Sequence, residues 1–238
     1  MSGTRLVELS HTIEHGLETY RGLPAPTVCD FWSRESTRGR YAPGVEFHIG
    51  RIDLVGNTGT YIDAPFHRYA DGADIAGLAL ERTADLVGVV VRARDVRAID
   101  AGAIDARALD ERELAGAAVL FDTGWSRHWR TEAYFTGHPY LTAAAAERLV
   151  ALGVALVGID SLNIDDTADL ARPVHSILLA AGIPIVEHLT GLMALPDAGF
   201  RFFASPAKVR GLGSFPVRAF ARVPDRPIEA GDRRNQDS

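Results

Sequence analysis

The 238-residue chain reads as an α/β protein, and three observations predict it. Short apolar runs of strand length recur along the chain, most with Gly, Pro or Asp at or near an end. Two helices with legible start and stop residues fall between the runs. Three of the runs end in an acid, at Asp122, Asp160 and Glu187. In open α/β sheets, ligands gather beyond such C-terminal strand ends.

Taken in order, the first legible strand is Val87 to Val91, four valines and one glycine. Valine favours the pleated, half-buried surface of a strand. Ala118 to Phe121 is the next, running into Asp122-Thr123-Gly124, a turn sequence. A helix is expected over Ala143 to Leu152. Thr142 can cap its start, the alanines favour it intrinsically, and Gly153 suits the left-handed residue past its end. Val154 to Ile159 reads as a strand closed by Asp160. Pro173 suits a first helical position, so a helix is expected over Val174 to Ala181, with Gly182 ending it. Ile183 to Val186, Phe200 to Phe203 and Pro216 to Val223 complete the strands. An acid at a strand end commonly caps the turn that follows. Asp122 reads that way, while Asp160 is ambiguous.

Composition bounds the function. At 47% apolar and 24% charged the chain can bury a core. Its net charge of −6 is spread among interspersed acids and bases, which argues against a nucleic-acid surface. Cys29 is the one cysteine, so no intrachain disulfide forms and a cytoplasmic setting is expected. Met1 to Arg5 leads into no apolar run long enough for a signal peptide. No segment approaches the ~18 apolar residues of a membrane span, so no membrane partner is expected. No composition break divides the chain. One domain is expected over residues 1–230, with 231–238 a polar tail.

The most informative stretch is Asn57-Thr58-Gly59-Thr60-Tyr61-Ile62-Asp63-Ala64-Pro65-Phe66-His67. It resembles the His-x-Gly-Thr-His-x-Asp-x-Pro-x-His signature of the cyclase family, which includes bacterial kynurenine formamidases and isatin hydrolases. Gly59, Thr60, Asp63, Pro65 and His67 fit that signature, and Asn57 and Tyr61 stand in place of its first two histidines. A second family motif, a histidine at a helix start with a glutamate twelve positions on, is matched by His175 and Glu187. The resemblance also takes in Leu9 to Ile13, Tyr20 to Pro24, Asp122 to Trp125, Gly158 to Ser161 and Pro216 to Ala219.

The resemblance implies a β/β/α arrangement with a mixed sheet, assembled as a homodimer or homotetramer. It also implies a two-metal centre. In the family, two signature histidines and the Asp hold one metal. The Asp, the later His and the later Glu hold the other, and the last signature His moves protons. Carried over, this makes Asp63, His175 and Glu187 metal ligands and His67 the proton carrier. Amide and phenol groups are poor ligands beside imidazole and carboxylate. The first site is therefore expected to be empty, leaving one Zn or Mn at the second. Tyr20 matches a substrate-touching Trp of kynurenine formamidases, and Trp125 lies in a segment expected to wall the pocket together with Asn57.

Two chemistries follow. In the first, a metal activates water to cleave a C–N bond, amide or cyclic amide, of a small aromatic or cyclic molecule. His67 protonates the leaving nitrogen, and Tyr61 donates to the developing oxyanion. In the second there is no metal. Asp63 and Glu187 then crowd each other until one holds a proton, and with His67 they run the acid–base chemistry of a cyclase or dehydratase. A non-catalytic binder of small molecules is a third reading, and retention of Asp63, His175 and Glu187 speaks against it. The other histidines have plain readings. His48 fits an edge strand, His128 and His138 fit loop packing, and His188 faces away from Glu187 on an extended strand. Ser126 and Ser176 lack a nucleophile elbow. Gly56 and Gly59 do not form a phosphate loop.

Overall fold

The computed structural model describes residues 3–106 and 114–225, so the stretch 231–238 lies outside the described residues. The chain opens with β1 (Thr4–Glu8), β2 (Thr27–Trp32), the single turn α1 (Arg34–Thr37) and β3 (Ile49–Asp53). Next come β4 (Tyr61–Asp63), β5 (Leu86–Arg92), β6 (Ala98–Ile99) and α2 (Ala101–Asp105). The centre holds β7 (Ala118–Asp122), β8 (Tyr140–Leu141), α3 (Ala143–Ala151) and β9 (Leu156–Ile159). The last part holds α4 (Pro173–Ala180), β10 (Ile185–Glu187), β11 (Phe200–Phe203), β12 (Ser214–Pro216) and β13 (Phe220–Pro224). Both helices with sequence signals form where expected. Thr142 accepts from Ala145 N at 3.2 Å, and Gly153 and Gly182 take φ of +67° and +70° just past the two ends.

One nine-stranded mixed sheet organises the molecule, in the order β1-β13-β11-β5-β7-β9-β10-β4-β12. Its centre, β5-β7-β9-β10, is parallel and its flanks are antiparallel. The period of two along each strand sends side chains to two cores. Val89, Val91, Val119, Phe121, Val157 and Ile159 face the helices, packing on Ala145, Leu149, Val174 and Leu178. Val90, Leu120, Leu156 and Val186 face the other way, into a core shared with Ile62, Phe200 and Phe202. Gly158 sits on that second face because an added Cβ would lie 2.7 Å from Leu189 and 2.8 Å from Leu120.

The expected strand Pro216 to Val223 is in fact two strands on opposite flanks of the sheet, β12 last in the order and β13 second. Laid flat, the seven spacings between β12 and β13 would separate them by roughly 34 Å. The residues joining them can span at most about 14 Å. The sheet therefore curls until its edges meet. The hydrogen bonds from Leu9 N to Ala219 O and from Val217 N to Thr60 O extend the β1–β13 and β12–β4 ladders toward the join, and those from Ser10 Oγ to Val217 O and from His11 N to Thr60 Oγ1 cross it. The chain turns between β12 and β13 because β12 forms one edge of the sheet while β13 lies next to the other, between β1 and β11.

Four of the other strands, β1 to β4, carried no strand signal in the sequence. β4 lies inside the signature motif, buried at all three residues. β1 pairs with β13 at the edge. β2 and β3 form a separate antiparallel ribbon that stands away from both cores, with nearly every residue exposed. No helix among the described residues is long and apolar enough to cross a membrane.

Candidate active site

β4 runs antiparallel between β10 and β12, and register builds the site. Tyr61 lies opposite Glu187, and Asp63 lies opposite Ser214. Residues two apart on a strand share a face, and cross-strand partners stand ~5 Å apart at Cβ. The result is two short hydrogen bonds: Tyr61 Oη donates to Glu187 Oε2 at 2.5 Å, and Ser214 Oγ donates to Asp63 Oδ1 at 2.5 Å. Glycines permit the close approach. Gly59 takes φ +66° entering the strand, and a Cβ on Gly213 would lie 2.5 Å from His67 Cα.

His67 ends a short 3-10 turn, Pro65–His67, just beyond β4. Its Nδ1 is 2.9 Å from Ser214 Oγ. The single hydroxyl hydrogen of Ser214 goes to Asp63, so Nδ1 carries the hydrogen of that contact and a neutral His67 keeps its Nε2 lone pair free. Asn57 Nδ2 donates to the same Ser214 Oγ at 3.3 Å. His175 enters from the first turn of α4. Its Nδ1 lies 2.6 Å from Asp165 Oδ2, and its Nε2 lies 3.7 Å from both Asp63 Oδ2 and Glu187 Oε1. Asp165 also accepts from Val174 N at 2.7 Å and His175 N at 3.0 Å, so one carboxylate caps the helix and orients the imidazole. Glu187 Oε1 accepts from Ile164 N at 2.7 Å.

Charge follows from this packing. Burial opposes a charge on His175, but Asp165, Asp63 and Glu187 outweigh it and raise its pKa to about 10. Burial pushes Asp63 up, yet His175, His67 and Ser214 hold it below the usual carboxylate value. Glu187 is raised to about 7, chiefly by burial and further by Asp63, with His175 acting against the rise. Burial beside two carboxylates pushes the Tyr61 phenol well above its ordinary range, so it stays a donor.

The residues fit a divalent cation. Asp63 Oδ2 is buried and has no hydrogen-bond partner. Asp63, His67 and His175 each offer a ligand atom, all within 4.8 Å of one another. Glu187 Oε1 also lies 3.7 Å from His175 Nε2, with both Glu187 oxygens already engaged by Tyr61 and Ile164.

These groups border a cavity of about 430 Å³. Tyr20, Asn57, Tyr61, His67, His175 and Glu187 line it, and Asp63 lies buried behind. Trp125 is not on this wall. Its indole N–H donates to Tyr134 O at 3.0 Å, and its ring packs on His128. His188 does not face away on a strand. The strand stops at Glu187, and His188 turns to φ +57°, buried, with Nδ1 2.8 Å from Tyr134 Oη. Asp122 is no turn cap; it accepts from Arg92 and Arg94 at 2.7 Å each. Asp160 is the cap, accepting from Thr123 N at 2.8 Å and Gly124 N at 2.9 Å.

Sequence reasoning missed Ser214 and Asp165. Glycine on either side of a tight approach, as at Gly213, was a weak cue to the first. Nothing in the spacing marked the second, because the loop after β9 brings it to the helix.

Comparison with known proteins agrees with this picture. The family described as "Putative cyclase" matches residues 7–166. A kynurenine formamidase of Bacillus cytotoxicus is 30% identical over 176 residues, 74% of this chain and 80% of its own. That of Bacillus cereus is 26% identical over 223 residues, 93% of this chain and 99% of its own. Isatin hydrolase A from Labrenzia aggregata, solved with benzyl benzoate, shares the fold with a TM-score of 0.77 at 21% identity, over 93% of this chain and 94% of that one.

Proposed function

Because this chain belongs to the cyclase family, we propose that it hydrolyses a carbon–nitrogen bond, amide or cyclic amide, of a small aromatic or cyclic molecule with one divalent metal. The observation that carries the reading is the buried, unpartnered Asp63 Oδ2 facing His175 Nε2 at 3.7 Å beside the cavity. A buried carboxylate oxygen without a hydrogen bond is costly unless something cationic meets it, a role that protonated His175 fills and that a metal would take over once His175 becomes a ligand. The hydrolase character rests on the formamidase relatives.

Asp63 and His175 would hold the ion, with His67 or Glu187 as third donor. A divalent metal supplies a lowered pKa for water, to about 7, and polarises a carbonyl. His175 must give up its proton to serve as a ligand, and Asp165 keeps Nδ1 protonated while Nε2 is freed. Whichever of His67 and Glu187 stays outside the donor set moves the proton to the leaving nitrogen. His67 is prepared by Ser214, which fixes its tautomer. When Glu187 is protonated it can donate to Tyr61 Oη, which frees the phenol hydrogen for a developing negative charge on the substrate oxygen. A cytoplasmic setting belongs to the same reading, with the free, exposed Cys29 in its favour.

The test is elemental analysis of the wild type, His67→Asn and Glu187→Gln, together with turnover of aryl formamides and cyclic amides. About one metal per chain with turnover is expected. The substitution that keeps the metal and loses turnover identifies the proton carrier. No hydrolysis with either Zn or Mn added sinks the hydrolase reading. Turnover that survives complete chelation favours the metal-independent acid–base reading, for which Glu187 at about 7 beside Tyr61 is the supporting observation.

A further inference from the structure

Two arginines border the cavity without a counter-charge. Arg68 and Arg172 both line it, and neither has a carboxylate within ion-pair distance among the described residues. Arg68 meets only neutral groups: Nε donates to Ser176 Oγ at 3.3 Å, and the guanidinium lies over the Tyr69 ring at 5.2 Å. Arg172 is half-buried, and its Nη1 makes only long contacts, 3.5 Å to Asn163 Oδ1 and 3.4 Å to Asp166 O. Among the described residues, some arginines away from the cavity, such as Arg5 and Arg82, also meet only backbone carbonyls, but they do not line it. Arg92, Arg94, Arg201 and Arg218 are all ion-paired, and the third cavity arginine, Arg21, pairs with Glu132.

The backbone at Arg172 adds a second observation. Arg172 sits at φ +48°, ψ +58°, in the left-handed region, immediately before Pro173. A non-glycine side chain there costs on the order of 1 kcal/mol. The helix does not need Arg172 as its cap, because Asp165 does that work. A strained, half-buried cation without a counter-charge, on the wall of a cavity, is an arrangement that an anion would complete.

We propose that Arg172 and Arg68 form an anion subsite at this cavity, and that the substrate carries a carboxylate in addition to the bond that is cut. The body of such a molecule would lie against Tyr20 and Leu23, which line the same cavity. This rests on the hydrolase reading for the word substrate, but the subsite stands or falls on binding alone.

The experiment is therefore equilibrium binding by calorimetry, with benzoate and its neutral isostere benzamide as probes. It is run on the metal-loaded and the chelated protein. The wild type is expected to bind benzoate at least ~10-fold more tightly than benzamide, the scale of one charge-assisted hydrogen-bonded pair. Arg172→Gln and Arg68→Gln should each erase most of that difference, and Arg172→Lys should restore part of it, since lysine returns the charge without the bidentate fork. Arg68→Gln leaves the left-handed backbone at Arg172 unchanged and alters only side-chain contacts, to Ser176 Oγ and the Tyr69 ring, so it guards against a folding artefact at the helix start. Equal binding of the two probes by the wild type would overturn the proposal. So would benzoate binding that is lost on chelation and kept in both glutamine variants, which would place the carboxylate on the metal. Displacement of benzoate by formate at equal concentration would uphold the anion subsite and assign it to the released acid. Arginine-dependent benzoate binding in a protein that cleaves no amide would uphold the subsite while the hydrolase reading fails.

Discussion

Ser214 joins Asp63 to His67 through one hydroxyl, and Asn57 donates to the same oxygen. Removing that oxygen strands Asp63 Oδ1 in a buried position with no donor. Ser214→Ala is expected to cost about 1–3 kcal/mol of stability, as for any buried acceptor left unsatisfied. Turnover should fall by more than the folded fraction does, because His67 also loses its tautomer control. Urea unfolding and initial rates on the same preparation check both, and wild-type rates in a destabilised variant would refute the role. Residue identity made much of this legible. Gly59, Asp63 and His67 announced a site, and Asn57 and Tyr61 announced that the site is unusual. What Tyr61 does was not legible, because its partner Glu187 is distant in the chain and meets it only through strand register.

α4 and the loop before it form one unit around Asp165. The carboxylate caps two backbone N–H groups and holds His175 Nδ1. The folded-state pKa of His175, about 10, lies above the ordinary 6.5. The stability this gives is fully present below about 6.5 and is lost as pH rises through about 10. Asp165→Asn removes the hydrogen-bonding carboxylate that contributes most to raising it and weakens the cap. Relative to wild type, the variant is expected to be less stable by about 2 kcal/mol at neutral pH. The deficit should narrow between about pH 7 and 10, as the wild type loses its own advantage. Chemical denaturation of the chelated protein across that range measures it, and a deficit independent of pH would mean that Asp165 acts as a helix cap alone. The two helices were readable because caps and stop signals are local. β4 was not, because three residues carry too little periodicity to distinguish a strand from a loop.

The curled sheet creates burial that no local pattern reports. His11 and His188 both keep a buried, unpartnered Nε2, and burial lowers their pKa values to about 4 and about 3. A depressed histidine makes the unfolded chain bind more protons than the folded one between these values and 6.5. Stability from this source is lost as pH falls, by about 1.4 kcal/mol per pH unit for each imidazole. The raised carboxyls of Asp160, about 6, and Glu187, about 7, act with the opposite sign. The wild-type profile alone will therefore hide the effect, and the informative quantity is a difference. The stability gap between wild type and His188→Asn should shrink steadily from pH 6.5 to 4, and a constant gap would show that His188 does not titrate on unfolding.

The exposed ribbon belongs to the same scale. Phe31, Phe47 and Ile52 are 60%, 52% and 54% exposed. A lone two-stranded hairpin is marginal in water, so this one calls for a cover. We propose a second copy of the chain as that cover. Light scattering should then give a dimer or tetramer, with Phe31→Ser/Ile52→Ser shifted toward monomer. A monomeric wild type at micromolar concentration would exclude it.

The sequence determined the α/β class, the two helices, most of the central strands and the signature residues of the site, because each of these is written in nearby residues. It also displayed the loss of two imidazoles at positions 57 and 61. Only the tertiary structure decided which side chains meet. Strand register set Tyr61 against Glu187 and Asp63 against Ser214. The loop after β9 delivered Asp165 to His175. The closure of the sheet split one apparent strand into two, on opposite flanks. These pairings join residues far apart along the chain, and the spacing of residues in a sequence holds no record of which strand will lie beside which.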